Sequence, residues 1–233
     1  RVTVVSDGRR RFLPARLNEI VARARGELVA RMDGDDVAHP DRIRREVEAL
    51  EAAGPDYAGA GTWAAVVDER DEVFAVIEAS VPASSVVALE RGLFPHATFV
   101  ARREWLLAHP YDEALTRAED RDLWCRTVET SRFVIVPEPL YVVRTLSAHP
   151  TFLPDYIESQ RQNRILFARY GPRTIGWRRT SQVYAAAWAK GIVMRAAVRL
   201  GVADHLVRRR GRPPTEHERR LVREALVSAR GCS

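Results

Sequence analysis

Four residues constrain this chain more than any others: Asp33-Gly34-Asp35-Asp36, which follow the run Glu27-Leu28-Val29-Ala30-Arg31-Met32. That run reads as a strand, and the acids stand where it ends. Three carboxylates within four positions repel one another, so a fold normally keeps them together only with water or a cation. Oxygen ligands at a strand end suit Mg²⁺ or Mn²⁺, which keep open positions for a substrate's phosphate oxygens. A solvated acidic turn is the plain alternative. The strand before it, the glycine between the acids and His39-Pro40-Asp41-Arg42 after it favour a site.

The surrounding pattern is α/β. Val2–Val5 reads as a short β-branched strand ending at the turn Ser6-Asp7-Gly8. Residues 13–25 have helical spacing and stop at Gly26, and a helix opening at Pro40 carries Ile43, Val47 and Leu50 on one side. Tyr57–Val67 is the best long strand, with Val73–Ile77 returning as a hairpin. A short helix at 83–91, a strand at 97–101 and helices at 103–108 and 119–129 follow. Two strands, 133–136 and 140–143, are split by Pro137-Glu138-Pro139. After about residue 154 the periods are helical, at 154–169, 181–200 and 214–229. The expected architecture is a mixed sheet flanked by helices over residues 1–150, then an all-helical extension over 151–233.

Charge divides the chain at the same place. Residues 1–150 carry 20 Arg against 25 Asp and Glu, whereas residues 151–233 carry 17 Lys and Arg against 6 acids. The acidic front and basic back predict two jobs, the second with a polyanionic partner such as phospholipid, a lipid-linked phosphate or nucleic acid. With 46% hydrophobic and 29% charged residues, the composition is globular. Cys125 and Cys232 are too few for a disulfide scaffold or zinc cage, so a reducing compartment is the default. No stretch free of Asp, Glu, Lys and Arg exceeds 11 residues, short of the roughly 20 that span a bilayer. A cytoplasmic location, with contact at the inner membrane face, is the expectation.

A second acidic segment, Glu119-Asp120-Arg121-Asp122-Leu123-Trp124, opens a predicted helix. Carboxylates are favoured there by the dipole alone. One of them facing a metal-bound diphosphate is also well placed as a general base.

Together these segments resemble the nucleotide-sugar glycosyltransferases of family 2, with the GT-A fold. Ala24-Arg25-Gly26-Glu27-Leu28-Val29-Ala30-Arg31-Met32-Asp33-Gly34-Asp35-Asp36 is similar to the family's strand and acidic signature, and Pro40-Asp41-Arg42-Ile43 continues it. Leu13 to Asn18, His96 to Glu104, Tyr111-Asp112-Glu113, Glu119 to Arg126 and Glu138-Pro139-Leu140 with Arg144 resemble further family motifs in register. The resemblance implies transfer of a sugar from a nucleoside diphosphate to an acceptor hydroxyl, with inversion and a divalent cation, Mn²⁺ or Mg²⁺. By the same resemblance, Asp35 and Asp36 hold the metal and Asp33, Arg16 and Asn18 meet the donor. Asp120 is the base with Glu119 beside it, and His96 and Trp124 lie on the acceptor side. The acceptor would be a saccharide or lipid-linked, as in cell-envelope or extracellular polysaccharide synthesis; nucleic acid is not expected.

Three departures accompany the likeness. The chain opens at what resembles the family's third strand, so it reads as lacking the opening strands, and Asp7 lies too close to Asp33 to be the family's nucleobase aspartate. Leu146 stands where many members carry a metal-ligating histidine, with His149 nearby. His109-Pro110 replaces the usual glycine pair before Tyr-Asp-Glu. In the basic part, Trp188, Arg195 and Arg199 share one side of a nearly apolar helix that Lys190 interrupts, a candidate interfacial helix. Arg208–Arg212 is a candidate phosphate contact or a solvated run. The rival readings are a GT-A-like nucleotidyltransferase, or a truncated non-catalytic relative that binds membrane or nucleic acid through its tail.

Overall fold

A computed structural model describes residues 2–9, 11–81, 84–91, 94–144, 150–208 and 211–231. Leu146, His149, Arg209, Arg210 and Cys232 lie outside the described residues, as does the side chain of Arg208. The front elements are α1 (Leu13–Arg23), β1 (Leu28–Ala30), β2 (Val37–Ala38), α2 (Arg42–Ala53), β3 (Tyr57–Val67) and β4 (Val73–Ile77). There follow α3 (Ser85–Arg91), a 3₁₀ turn at His96–Thr98, β5 (Val100–Arg102), α4 (Arg103–Ala108), α5 (Glu119–Thr127) and β6 (Arg132–Arg144). The chain continues through α6 (Phe152–Thr174), α7 (Gly176–Arg199), α8 (Ala203–Arg208) and α9 (Glu216–Gly231).

The six strands form one mixed sheet in the order β1-β5-β3-β6-β2, with β4 against β3. Only the β3–β6 pair is parallel; the other pairs are antiparallel. This bears out the expected α/β architecture with a helical C-terminal part. Val2–Val5, expected as a strand, is extended but unpaired, with Val2 and Val4 95% and 84% exposed. β-propensity describes fit to a half-buried pleated surface, and this segment packs against no sheet among the described residues. The proline break also differs. β6 runs through Pro137-Glu138-Pro139 as one strand, because its pairing with β3 shifts register between Thr62 and Ala64 and resumes beyond. Thr62 donates its hydroxyl to the Glu138 carbonyl in that gap, which satisfies the irregular backbone.

On one face of the sheet the rings of Phe94, Phe99, Trp105, Trp124 and Phe133 form the core, with centroids as close as 5.0 Å for Phe99 and Trp124. A Cβ at Gly59 or Gly61 would come within 2.6 Å of Phe99 or Phe94 respectively. The glycines of Tyr57-Ala58-Gly59-Ala60-Gly61 therefore let aromatic rings lie directly on β3. The other face is covered by α9, which contributes Val222, Ala225 and Leu226 against Ala65, Val67 and Val142. Thr215 and Glu218 cap α9 reciprocally, Thr215 N–H to Glu218 Oε2 at 2.7 Å and Glu218 N–H to Thr215 Oγ1 at 3.3 Å. Arg212 pairs with Glu218 and Glu78 and lies 5.3 Å over Trp63. Arg212 is thus a structural clamp, neither a free phosphate contact nor part of a solvated run. The helices after residue 150 are thus packed into the body: α6 and α7 form a hairpin whose Leu166, Phe167 and Ala187 join Leu89 and Leu115.

Candidate active site

The first acidic segment is held from behind. Arg42, 1% exposed, donates from Nη2 to the Arg31 carbonyl at 2.6 Å and from Nε to Glu46 at 3.0 Å, and its guanidinium lies 5.0 Å over the Tyr141 ring. Tyr141, on β6, accepts the Asp33 N–H at its hydroxyl at 3.0 Å and is also bonded to the Asp36 carboxylate. One buried arginine and one tyrosine therefore fix the turn that the sequence places after β1. Asp35 is exposed, Asp36 half-buried, and Asp33 pairs with Arg31 at 2.7 Å. Burial, then the charges of Asp35 and Asp33, push the Asp36 carboxyl up to about 6 against the pull of Tyr141.

Among the described residues no three His, Cys, Asp or Glu side chains converge into a metal cage. The donor set still fits a divalent cation of the Mg²⁺ type, which is commonly held by one or two carboxylates with substrate phosphates completing the shell. A cation bound there would offset both the burial of the Asp36 carboxylate and its repulsion by Asp35 and Asp33.

At the second segment the structure separates residues that look equivalent in sequence. Ala118, in the left-handed region at φ 61°, precedes α5. Glu119 then turns inward: it is 6% exposed and lies 3.4 Å from His96 Nδ1. Burial works to raise its pKa, but the His96 bond and charge prevail and hold it below its ordinary value. His96 in turn reaches the Tyr111 hydroxyl at 2.8 Å through Nε2 and is 8% exposed. Asp120 is half-buried and lines a cleft of about 410 Å³ together with Ile77, Arg91, Phe94, Arg121 and Asn163.

Several expected roles change accordingly. Trp124 is fully buried in the aromatic core, 5.1 Å from the Phe94 ring that lines the cleft. His96 is an internal link between Glu119 and Tyr111. Glu119 is that link's anchor and does not share the cleft with Asp120. Arg16 is taken up by Asp7 at 2.6 Å, Glu19 at 2.8 Å and the Arg9 carbonyl at 2.7 Å. Asn18 accepts the Tyr111 N–H at 2.9 Å and donates to the Tyr111 carbonyl and Glu113, both at 3.0 Å, joining α1 to the Tyr111-Asp112-Glu113 loop.

Two residues were not singled out from sequence. Asp122, 1% exposed, receives Arg126 at 2.8 Å, Arg169 at 3.0 Å and the Tyr170 hydroxyl at 2.6 Å, tying α5 to α6. Its position one turn into an acidic helix start disguised it as dipole stabilisation. Arg31 is the other. Besides its pair with Asp33, its charge lowers the pKa values of Asp36, Glu119 and Tyr111. The two acidic segments, about 85 positions apart in the chain, thus share one basic neighbour. The Arg31 Nε is buried with no hydrogen-bond partner.

The chain is similar to known glycosyltransferases in sequence and in fold. Residues 1–106 match the profile of "Glycosyl transferase family 2". EpsE of Bacillus subtilis (strain 168), which carries a glycosyltransferase name, is 34% identical over 149 residues, 62% of this chain and 52% of its own. MJ1057 of Methanocaldococcus jannaschii, named an uncharacterized glycosyltransferase, is 25% identical over 148 residues, 62% of this chain and 51% of its own. The chain spans about half the length of these curated relatives. Among solved structures, the mannosyltransferase PcManGT of Pyrobaculum calidifontis, in complex with GDP-Man and Mn²⁺, matches with a TM-score of 0.52. It is 18% identical, with 97% of this chain and 68% of that one covered, and it supports the fold. Through its front region, residues 1–106, this chain is similar to glycosyltransferase family 2.

Proposed function

We propose that the chain transfers a sugar from a nucleoside-diphosphate donor to an acceptor hydroxyl by a single inverting displacement, with Asp120 as general base. The observation that carries this is the half-buried Asp120 carboxylate on a cleft while the acids of the same helix, Glu119 and Asp122, are turned into the protein. Asp120 takes the acceptor proton as the acceptor oxygen bonds to the anomeric carbon. The bond from that carbon to the diphosphate breaks on the opposite face, and the diphosphate leaves. That geometry requires a base across the sugar from the leaving group, as in inverting glycosidases. Asp35 and Asp36 would hold a Mn²⁺ or Mg²⁺ ion, which when bound neutralises charge on the leaving diphosphate. Asp33, drawn to Arg31, orders the turn or meets the donor. PcManGT, solved with GDP-Man and Mn²⁺, supports a nucleotide-sugar donor and a divalent ion as a reading for this chain.

The setting we propose is envelope or extracellular polysaccharide synthesis at the inner face of a membrane. Among the described residues no helix is long and apolar enough to cross a bilayer. Yet α7 leaves Trp177, Tyr184, Trp188, Ile192 and Val193 between 43% and 76% exposed, with Arg195 and Arg199 on the same helix. Interfacial aromatics with flanking arginines suit an anionic lipid surface. Trp188→Ser should weaken co-sedimentation with phosphatidylglycerol vesicles, and unchanged binding would remove the membrane contact.

The central test supplies Mn²⁺ and a panel of nucleotide sugars and measures nucleoside-diphosphate release. Asp120→Asn should cost about 10²–10⁴-fold in kcat with donor binding kept. Asp35→Ala and Asp36→Ala should abolish the Mn²⁺-dependent rise in Tm, which is about 2.7 kcal/mol of stabilisation at a hundredfold excess over Kd. Full activity in Asp120→Asn would sink the assignment of the base; an unchanged Mn²⁺ response in the double variant would sink the metal assignment.

A further inference from the structure

A larger cleft adjoins the one that holds Asp120. It has a volume of about 680 Å³ and lies where α3, α5, α6 and α7 meet. Arg91, Arg121 and Asn163 line both clefts, so the two adjoin. Its cationic lining is Arg91, Arg121, Arg179 and Lys190, against a single carboxylate, Glu90. Glu90 is engaged by Arg179 at 2.9 Å. Among the described residues no ion pair joins Arg91, Arg121 or Lys190 to a carboxylate, although Arg121 leans over the Phe167 ring at 5.9 Å. The remaining polar lining is amide, from Gln160, Asn163 and Gln182.

Arg179, Val183, Ala186 and Lys190 recur along α7 at helical spacing, so one stripe of that helix faces the cleft while Trp177, Tyr184 and Trp188 are exposed on it. Lys190, which in the linear sequence breaks an apolar face, belongs to the cleft stripe. Guanidinium forks and an ammonium without carboxylate partners recognise phosphate oxygens, and neutral amides bond sugar hydroxyls without adding charge.

We propose that this cleft seats the acceptor by a phosphate carried on its saccharide, held among Arg91, Arg121 and Lys190, while the reacting hydroxyl extends into the adjoining cleft toward Asp120. This rests on the transferase reading and names the acceptor's chemical class: a phosphorylated saccharide, free or lipid-anchored. The helices after residue 150 are then the acceptor-binding part of the enzyme.

Lys190 is the only lysine in the sequence, which supplies a direct probe. Reductive ¹³C-dimethylation keeps its charge and gives one side-chain NMR signal, assigned apart from the α-amino group by its pH dependence. Glucose 1-phosphate should shift that signal saturably, inorganic phosphate more weakly, and methyl glucoside not at all. Arg91→Gln or Arg121→Gln should weaken the glucose 1-phosphate response by roughly tenfold. Absence of a saturable shift would overturn the proposal. So would equal binding of inorganic phosphate, which is an anion site without a saccharide, or a response to phosphatidylglycerol vesicles alone, which is headgroup contact by α7. The titration uses no donor and no metal. A positive response with no donor turnover would therefore remove the transferase reading alone, and donor turnover with a silent Lys190 would remove only the acceptor class.

Discussion

The two acidic segments have nearly the same composition and opposite physics. Asp33, Asp35 and Asp36 stand at a strand end with Arg31 as their one ion-pair partner among the described residues, and burial, then the charges of Asp35 and Asp33, raise the Asp36 pKa. At the start of α5 the protein itself neutralises the excess: His96 takes Glu119, and Arg126, Arg169 and Tyr170 take Asp122. One acid, Asp120, is left to the cleft. A cluster left electrostatically unfinished waits for a ligand's charge, whereas a cluster finished internally serves to aim one residue.

The sharpest way to break this contrast is to delete one carboxylate from each segment and compare stability. Asp122→Ala removes the buried acceptor shared by Arg126, Arg169 and Tyr170 and cuts that link from α5 to α6, while Arg169 keeps Asp112 and Arg126 keeps the Pro110 carbonyl. The expected loss is about 2–3 kcal/mol, read as a fall in the urea midpoint. Asp35→Ala removes only repulsion, so without Mn²⁺ it should leave the midpoint unchanged or raise it. Equal losses in both variants would erase the distinction.

Next in size is the support behind the first segment. Burial pushes the Glu46 carboxyl up to about 7, with Arg42 pulling the other way. Between its unfolded value near 4.3 and about 7, the native state holds more protons than the unfolded chain. Stability therefore falls as pH rises through that window and levels off above it, by at most about 3 kcal/mol. Glu46→Gln should flatten the decline of Tm between pH 5 and pH 8, leaving the smaller slope that Asp36 supplies. An identical slope in both proteins would mean that Glu46 is ionised throughout.

Much of this frame was legible in the linear chain because it rests on local rules. Tyr57–Val67 and Val73–Ile77 form the paired strands their apolar runs and polar turn predict, and the acids after Ala30 and before Leu123 mark the candidate site. What stayed hidden depends on partners remote in sequence. Glu119 and Asp120 differ only in which way they point, and His96, 23 positions upstream, decides that. Val2–Val5 has strand composition but no neighbour, and β6 crosses two prolines because β3 and Thr62 accept the irregularity. Lys190 looked like an interruption until α7 was seen to carry two different stripes.

The smallest expected effect probes how Asp120 is aimed. Ala118 holds φ at 61° directly before α5, a conformation that costs a residue with a Cβ roughly 1 kcal/mol relative to glycine. No side-chain cap closes the start of α5, and the Ala118 methyl makes only a small contact with the Leu89 and Leu115 cluster. Ala118→Gly should therefore raise the thermal midpoint by a few degrees through relief of strain, offset in part by the greater freedom of glycine in the unfolded chain. If the strained residue is what turns Glu119 to His96 and Asp120 to the cleft, that gain should come with a lower kcat and an unchanged donor Kd, because a freer hinge holds the base less firmly. A stabilised variant with unaltered kcat would assign the aiming to the Glu119–His96 bond alone, and Glu119→Gln would then lower kcat where Ala118→Gly does not.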